Sequence, residues 1–150
     1  MEDQFYVHLF SNASDNYFPG NRPWEFTSML PEPLVLQGGR WLCALTEIEY
    51  SRSNADAQLP LHLAVYSDIC LASTTGSEKS TLLRYIPITR RKGQRIFHTP
   101  FTINYILVNK NLIDRIDIAI KCPGSSPQSL FSAEPCRVTL HFSRCPPSLL

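Results

Sequence analysis

The stretch WLCALTEIEY, Trp41 to Tyr50, constrains the fold more than any other part of the chain. In an extended chain the side chains alternate from face to face with period two. Leu42, Ala44, Thr46, Ile48 and Tyr50 then share one face, and Trp41, Cys43, Leu45, Glu47 and Glu49 the other. The first face is apolar almost throughout; the second is apolar for half its length and acidic beyond. A strand that is apolar on both faces at one end belongs inside a sheet, where both faces are covered. Gly38-Gly39 before it and Ser51-Arg52-Ser53-Asn54 after it are turn chemistry. The expectation is a central strand.

The rest of the chain supplies seven more stretches of the same kind. Gln4 to Phe10 alternates Phe5, Val7 and Leu9 against Tyr6, His8 and Phe10. A loop rich in Asn, Ser, Asp, Gly and Pro runs from Ser11 to Pro23, and its Asn12-Ala13-Ser14 triplet reads as turn composition. Trp24 to Leu30 is a second short strand, ended by Pro31 and Pro33 because proline cannot donate to a central ladder. Leu61–Cys70, Leu82–Ile88, Phe97–Val108 (with Pro100 at its start), Ile113–Ile120 and Arg137–Arg144 follow. Ser73–Ser80 reads as a polar turn, and Cys122–Pro135 as a Pro/Ser-rich loop interrupted by Leu130 and Phe131. No stretch has the 3.6-residue period of an amphipathic helix.

Eight short strands at fairly even spacing predict an all-β sandwich or barrel, and eight strands are most economically closed as a single jelly roll. In that order the first, third, sixth and eighth strands share one sheet and the second, fourth, fifth and seventh the other. Trp41–Tyr50 then lies beside the last strand, inside its sheet, and the isoleucine row of Ile113–Ile120 faces the core. The immunoglobulin-like sandwich is the main rival, but its Cys–Trp–Cys spacing is lacking.

Residues 1–150 make one domain by length, large enough for a real core. A net charge of +1 argues against non-specific nucleic-acid binding by the whole surface. No apolar run reaches the span of a membrane helix, and MEDQFYVHLF lacks the basic start and apolar run of a secretory leader. Five scattered cysteines without a CxxC pair read as reduced structural thiols. Together these predict a soluble product of a reducing compartment.

Catalytic patterns are missing from the sequence. His8, His62, His98 and His141 stand far apart, without HxH or HExxH spacing. No nucleophile elbow, phosphate loop or Cys/His signature occurs, and Glu47 and Glu49 have no evident cleft in which to act as paired acids. The expectation is a non-enzyme without metal or cofactor. One charge concentration remains. Arg90, Arg91, Lys92 and Arg95 put four cations into six residues, a candidate contact for an acidic partner or packaged DNA. No aromatic residues interleave with them, as single-strand binders require.

Six pieces in order resemble a known family. Ser11-Asn12 after the first strand, Phe18-Pro19-Gly20-Asn21, and Phe26 before Leu30-Pro31-Glu32-Pro33 match its opening. Gly39, Trp41, Ala44, Leu45, Glu47 and Ile48 match its Gly-x-Trp-x-x-Ala-Leu-x-Glu-Ile segment. VYSDIC at Val65–Cys70 and LLRYIP at Leu82–Pro87 are similar to its middle strands, and Ile113–Ile120 with VTLHF at Val138–Phe142 to its closing pair. The chain thus resembles the penton, or minor capsid, proteins of Maverick/Polinton elements, adintoviruses and adomaviruses. It departs where Glu134-Pro135 replaces a glycine before the last strand, and where Cys145 and two prolines replace a longer basic end.

The resemblance implies a single jelly roll that forms a homopentamer at the fivefold vertex of an icosahedral virion. It would contact the double jelly-roll major capsid protein, and a vertex spike or fibre could dock on it. Synthesis in the host's cytosol, with assembly there or in the nucleus, goes with that role. A closed ring repeats one heterologous contact, so two unlike surface patches are expected. Tyr17 and Phe18 are candidates for that interface, and Trp24 for the core. A trimeric cytokine-like or lectin-like jelly-roll module is the alternative.

Overall fold

A computed structural model describes residues 3–53, 62–88, 95–123 and 126–145. Its first sheet contains β1 (Gln4–Phe10), β3 (Trp41–Ser51), β8 (Arg95–His98), β9 (Ile106–Leu107) and β11 (Arg137–Arg144). Its second contains β2 (Glu25–Val35), β4 (His62–Ser67), β7 (Leu82–Pro87) and β10 (Leu112–Lys121). A small hairpin, β5 (Ser73–Thr75) and β6 (Glu78–Ser80), stands apart from both, and α1 (Pro127–Leu130) is one helical turn. The strand orders are β1-β11-β3-β8, with β9 also on β3, and β2-β10-β4-β7, and every pairing is antiparallel. The architecture is all-β and sandwich-like, with one core shared by the two sheets.

β3 does lie inside its sheet, between β11 and the β8–β9 edge. Its side chains, however, do not follow the unbroken alternation read from the sequence. The register with β11 jumps between Leu45 opposite Leu140 and Glu47 opposite Thr139, leaving Thr46 as an extra residue. This bulge shifts the alternation by one. Trp41, Cys43, Leu45, Ile48 and Tyr50 therefore all reach the core, each 3% exposed or less, while Glu47 and Glu49 remain on the outer face. The bulge resolves the mixed face: every large apolar residue of the strand but Leu42 is buried, and both acids stay in reach of water.

The core rows cross the first sheet as Leu9–Val138–Ile48 and Val7–Leu140–Leu45. Phe5 stacks on Phe142 at 5.1 Å and tilts against Trp41 at 5.7 Å. From the second sheet Ile113, Ile116, Ile118 and Ile120 close the other side, all 2% exposed or less. Full burial of a side chain of this size contributes about 1.5–3 kcal/mol. Leu130 and Phe131, the apolar pair in the Pro/Ser-rich loop, plug one end, with the Phe131 ring 5.0 Å from Tyr50 and 6.2 Å from Trp24.

Three further expectations are corrected. β2 runs through Pro31 and Pro33 instead of stopping at them. It is an edge strand, so the missing donors face no ladder, and Leu30–Pro33 bulge out opposite the single residue Asp114. Phe97–Val108 is not one strand: β8 ends at His98, Pro100 and the fully exposed Phe101 lie in a detour, and pairing to β3 resumes only at Ile106. Ser73–Ser80 is a hairpin, not a simple turn, with Gly76 at φ 63° in the first of its two turn positions, where a type II′ hairpin needs glycine. The described residues thus hold eleven strands where eight were expected.

Glycine is also required in the β2–β3 connection. Gly38 has φ 85°, a left-handed conformation that side chains rarely adopt, and a Cβ there would also meet the Arg144 guanidinium. The tight turn brings β3 back into line beside β11.

Candidate interaction surfaces

The outer face of the first sheet carries the densest polar chemistry. Arg137 on β11 lies across the sheet from Glu47 and Glu49, which the β3 bulge has turned outward. Its guanidinium donates to the carboxylates of both, at 3.0 Å to Glu49 Oε2, and its Nη1 donates to Thr139 Oγ1 at 2.8 Å. Glu49 also accepts from Arg95 Nε at 2.6 Å, and Arg95 Nη1 reaches the carbonyl of Pro135 at 3.1 Å. Partial burial works to raise the Glu49 carboxyl; the hydrogen bonds from Arg95 and Arg137 outweigh it and hold the group below the usual glutamate value. Both acids are committed to arginines, a structural ladder and not a paired-acid site.

Beside the ladder, His141 is 6% exposed. Its Nε2 faces Gln4 Oε1 at 3.0 Å and its Nδ1 the Tyr105 hydroxyl at 2.8 Å. A carbonyl oxygen only accepts, so Nε2 carries the proton and Nδ1 accepts from Tyr105. Burial pushes His141 below the ordinary imidazole value, which favours this neutral form. His8 bonds Thr139, His62 meets the Tyr85 ring edge-on at 4.9 Å, and burial and then Arg84 lower His98. Each histidine has a structural setting of its own. Among the described residues no group of three or more His, Cys, Asp or Glu is placed to hold a metal ion.

All five cysteines are free. Burial raises Cys70 and Cys136 to about 12 and Cys122 to about 11. Cys43 is likewise pushed well up by burial, with a smaller contribution from Cys70. Only Cys145 is partly exposed.

Of the residues singled out from the sequence, Tyr17 is 71% exposed. Its loop is held in place from below: the Ser14 hydroxyl accepts from the Met29 amide at 2.8 Å, and Asn21 makes two bonds to the Thr27 backbone. Phe18 is half-buried at the wall of an open groove of about 570 Å³, shared with Asn21, Thr27 and Asp117. Trp24 is half-buried against the core. Arg95 is tied to Glu49, with its side chain 37% exposed. Arg90, Arg91 and Lys92 lie outside the described residues.

The structure adds surface residues that strand patterning hid. Phe97 is 63% exposed on the β8 edge, and Phe101 and Ile103 are exposed in the detour after it. Tyr6, at 61%, projects from β1 at the opposite edge of the same sheet. Pro100 was the available signal: a proline inside an apparent aromatic strand argues against continuous pairing. Compared with known protein families and with curated protein sequences, the chain matches none.

Proposed function

We propose that this chain is a single jelly-roll vertex protein of an icosahedral viral capsid. Five copies close a ring that plugs the shell between double jelly-roll major capsid subunits, and the whole chain serves as that one domain. The reading rests chiefly on the strand order, β1-β11-β3-β8 over β2-β10-β4-β7. Taken without the small hairpin, and with β8 and β9 counted together, that order supports the single jelly-roll reading. The resemblance of the sequence to penton proteins supports it as well. The function is geometric: binding to itself, to the major capsid protein and to a vertex spike, with no catalysis and no cofactor. Its place is the virion, and packaged DNA is a partner only through Arg90–Arg95.

The ring needs unlike patches on opposite flanks. Exposed Phe97, Phe101 and Tyr85 lie on strands or loops at the β7/β8 edges; Tyr6, Phe10, Tyr17 and Met29 belong to the β1/β2 side. Native mass spectrometry of the purified chain tests the reading. A species of five times 17.1 kDa is expected. A trimer would favour a cytokine-like or lectin-like module, and a stoichiometric metal would point to an enzyme. A monomer that also fails to bind a double jelly-roll major capsid protein would remove the reading.

A further inference from the structure

The two sheets differ at their edges, most clearly at β1, for the other edge of the first sheet is split into β8 and β9 by the Pro100 detour. In the second sheet, β2 carries Pro31, Pro33 and a bulge; β7 ends in Pro87 and bulges at Leu83, between Arg84 opposite Val65 and Leu82 opposite Tyr66. Prolines and bulges at edges are the usual means of stopping a sheet from adding strands. In the first sheet, β1 pairs with β11 over seven residues with no register shift, and β8 pairs with β3 without one. Neither edge strand contains a proline, and β1 has no Lys, Arg, Asp or Glu between Gln4 and Phe10. On β8 the charge of Arg95 is already bound by Glu49.

Among the described residues no strand pairs with the far side of β1. Arg144 N–H donates to the Asp3 carbonyl and Ser11 N–H to the Cys136 carbonyl, so the odd-numbered residues of this ladder face β11. Antiparallel ladders alternate, and the main-chain groups of Gln4, Tyr6 and His8 therefore point away from the sheet. Phe5 and Val7, whose side chains turn toward the core, stay half-exposed at this open side. A further strand here would gain main-chain hydrogen bonds and cover both.

Strand direction decides what that strand is. β1, β11, β3 and β8 alternate strictly, so β8 runs opposite to β1. A copy related by rotation about a ring axis keeps its strand directions, and presents its β8 antiparallel to β1. A β1–β1 contact would instead need a two-fold, which does not build a ring of five. We propose that the first sheet continues from one copy to the next, β8 of each subunit adding to β1 of its neighbour. Phe97, opposite Glu49 on the outer face, then lies beside the outward Tyr6, His8 and Phe10, and the added strand covers the open side of Phe5 and Val7. The ring number rests on the vertex reading; the edge contact does not.

Cysteine pairs test it, in a Cys145→Ser background so that the partly exposed thiol is gone. Phe97→Cys is combined in turn with Tyr6→Cys, His8→Cys and Phe10→Cys, all exposed on the outer face. One pair should give, on mild oxidation, a ladder of covalent multimers ending in a closed ring. Tyr6→Lys, and separately Tyr6→Pro, should shift the mass of the unoxidised assembly to that of one chain, with the circular dichroism of the folded protein retained. A five-copy assembly indifferent to both Tyr6 variants and without a ladder would overturn the edge contact and leave the vertex reading standing. A ladder closing at another number would keep the edge and sink the fivefold vertex. Dimers from Tyr6→Cys alone would show two-fold pairing and overturn the proposal. So would a chain that stays monomeric and unlinked up to its solubility limit.

Discussion

The two sheets share one core but differ at their borders and on their outer faces. The second sheet is closed by proline and bulge at β2 and β7. The first keeps β1 in unbroken register, has a second edge split into β8 and β9, and braces its outer face with the Glu47–Arg137–Glu49–Arg95 ladder. The bulge in the first sheet lies in its middle, at Thr46, where it sorts side chains between core and surface instead of blocking an edge. The same device does different work according to where it sits. At a border it ends a sheet; inside one it keeps apolar residues buried and carboxylates out.

The contrast can be broken most severely at the centre of the first sheet. Phe142 is fully buried and stacked on Phe5, and Phe142→Ala should cost about 3–5 kcal/mol, read as a fall in the urea midpoint at unchanged slope. If the loss were under about 1 kcal/mol, the core would be far looser than a close-packed interior allows. Arg137→Met should come next, at about 1–3 kcal/mol, because it leaves two carboxylates side by side without their shared donor. Its penalty should shrink in acid, where the Glu49 carboxylate is protonated. An equal penalty at neutral and acid pH would show that the arginine acts through packing alone.

Acid should weaken the wild-type fold in two stages. His141 and His98 have folded values below the ordinary 6.5, so the unfolded chain binds more protons and stability falls as pH drops through 6.5. Glu49 is lowered from 4.5, so its contribution is present above that value and is lost as pH falls below it. His141→Gln should flatten the first stage and leave the second; a profile unchanged by the substitution would assign the first stage elsewhere. The smallest effect is expected at the closed border. Pro31→Ala with Pro33→Ala should change stability by no more than about 1 kcal/mol. The pair should still raise concentration-dependent association, followed by light scattering, if the prolines guard that edge. Unchanged association would mean that the bulge suffices.

Much of this fold was readable because its strands are short and their patterns clean. Phe5-Val7-Leu9, the Ile116-Ile118-Ile120 row and Val138-Leu140-Phe142 each declare one core-facing row by simple alternation. The failures share a cause. Pro31 and Pro33 end a strand only if both its sides are paired, and edge position is a property of the assembled sheet. Phe97–Val108 has strand composition throughout, yet only its two ends find β3. Of the candidate surfaces, Tyr17 was legible as an aromatic in a turn-rich loop. The Arg137 ladder was not, since its arginines lie 46 to 90 residues from the acids they meet.

The sequence by itself determined the class of structure, the place of β3 within a sheet and the identity of most core residues. These follow from local alternation and turn chemistry, which act over a few residues. Tertiary structure alone decided where alternation shifts, which edges are blocked and which open, and which distant charges meet. Those outcomes depend on what lies opposite each strand, and a partner can be known only once the strands have been brought side by side.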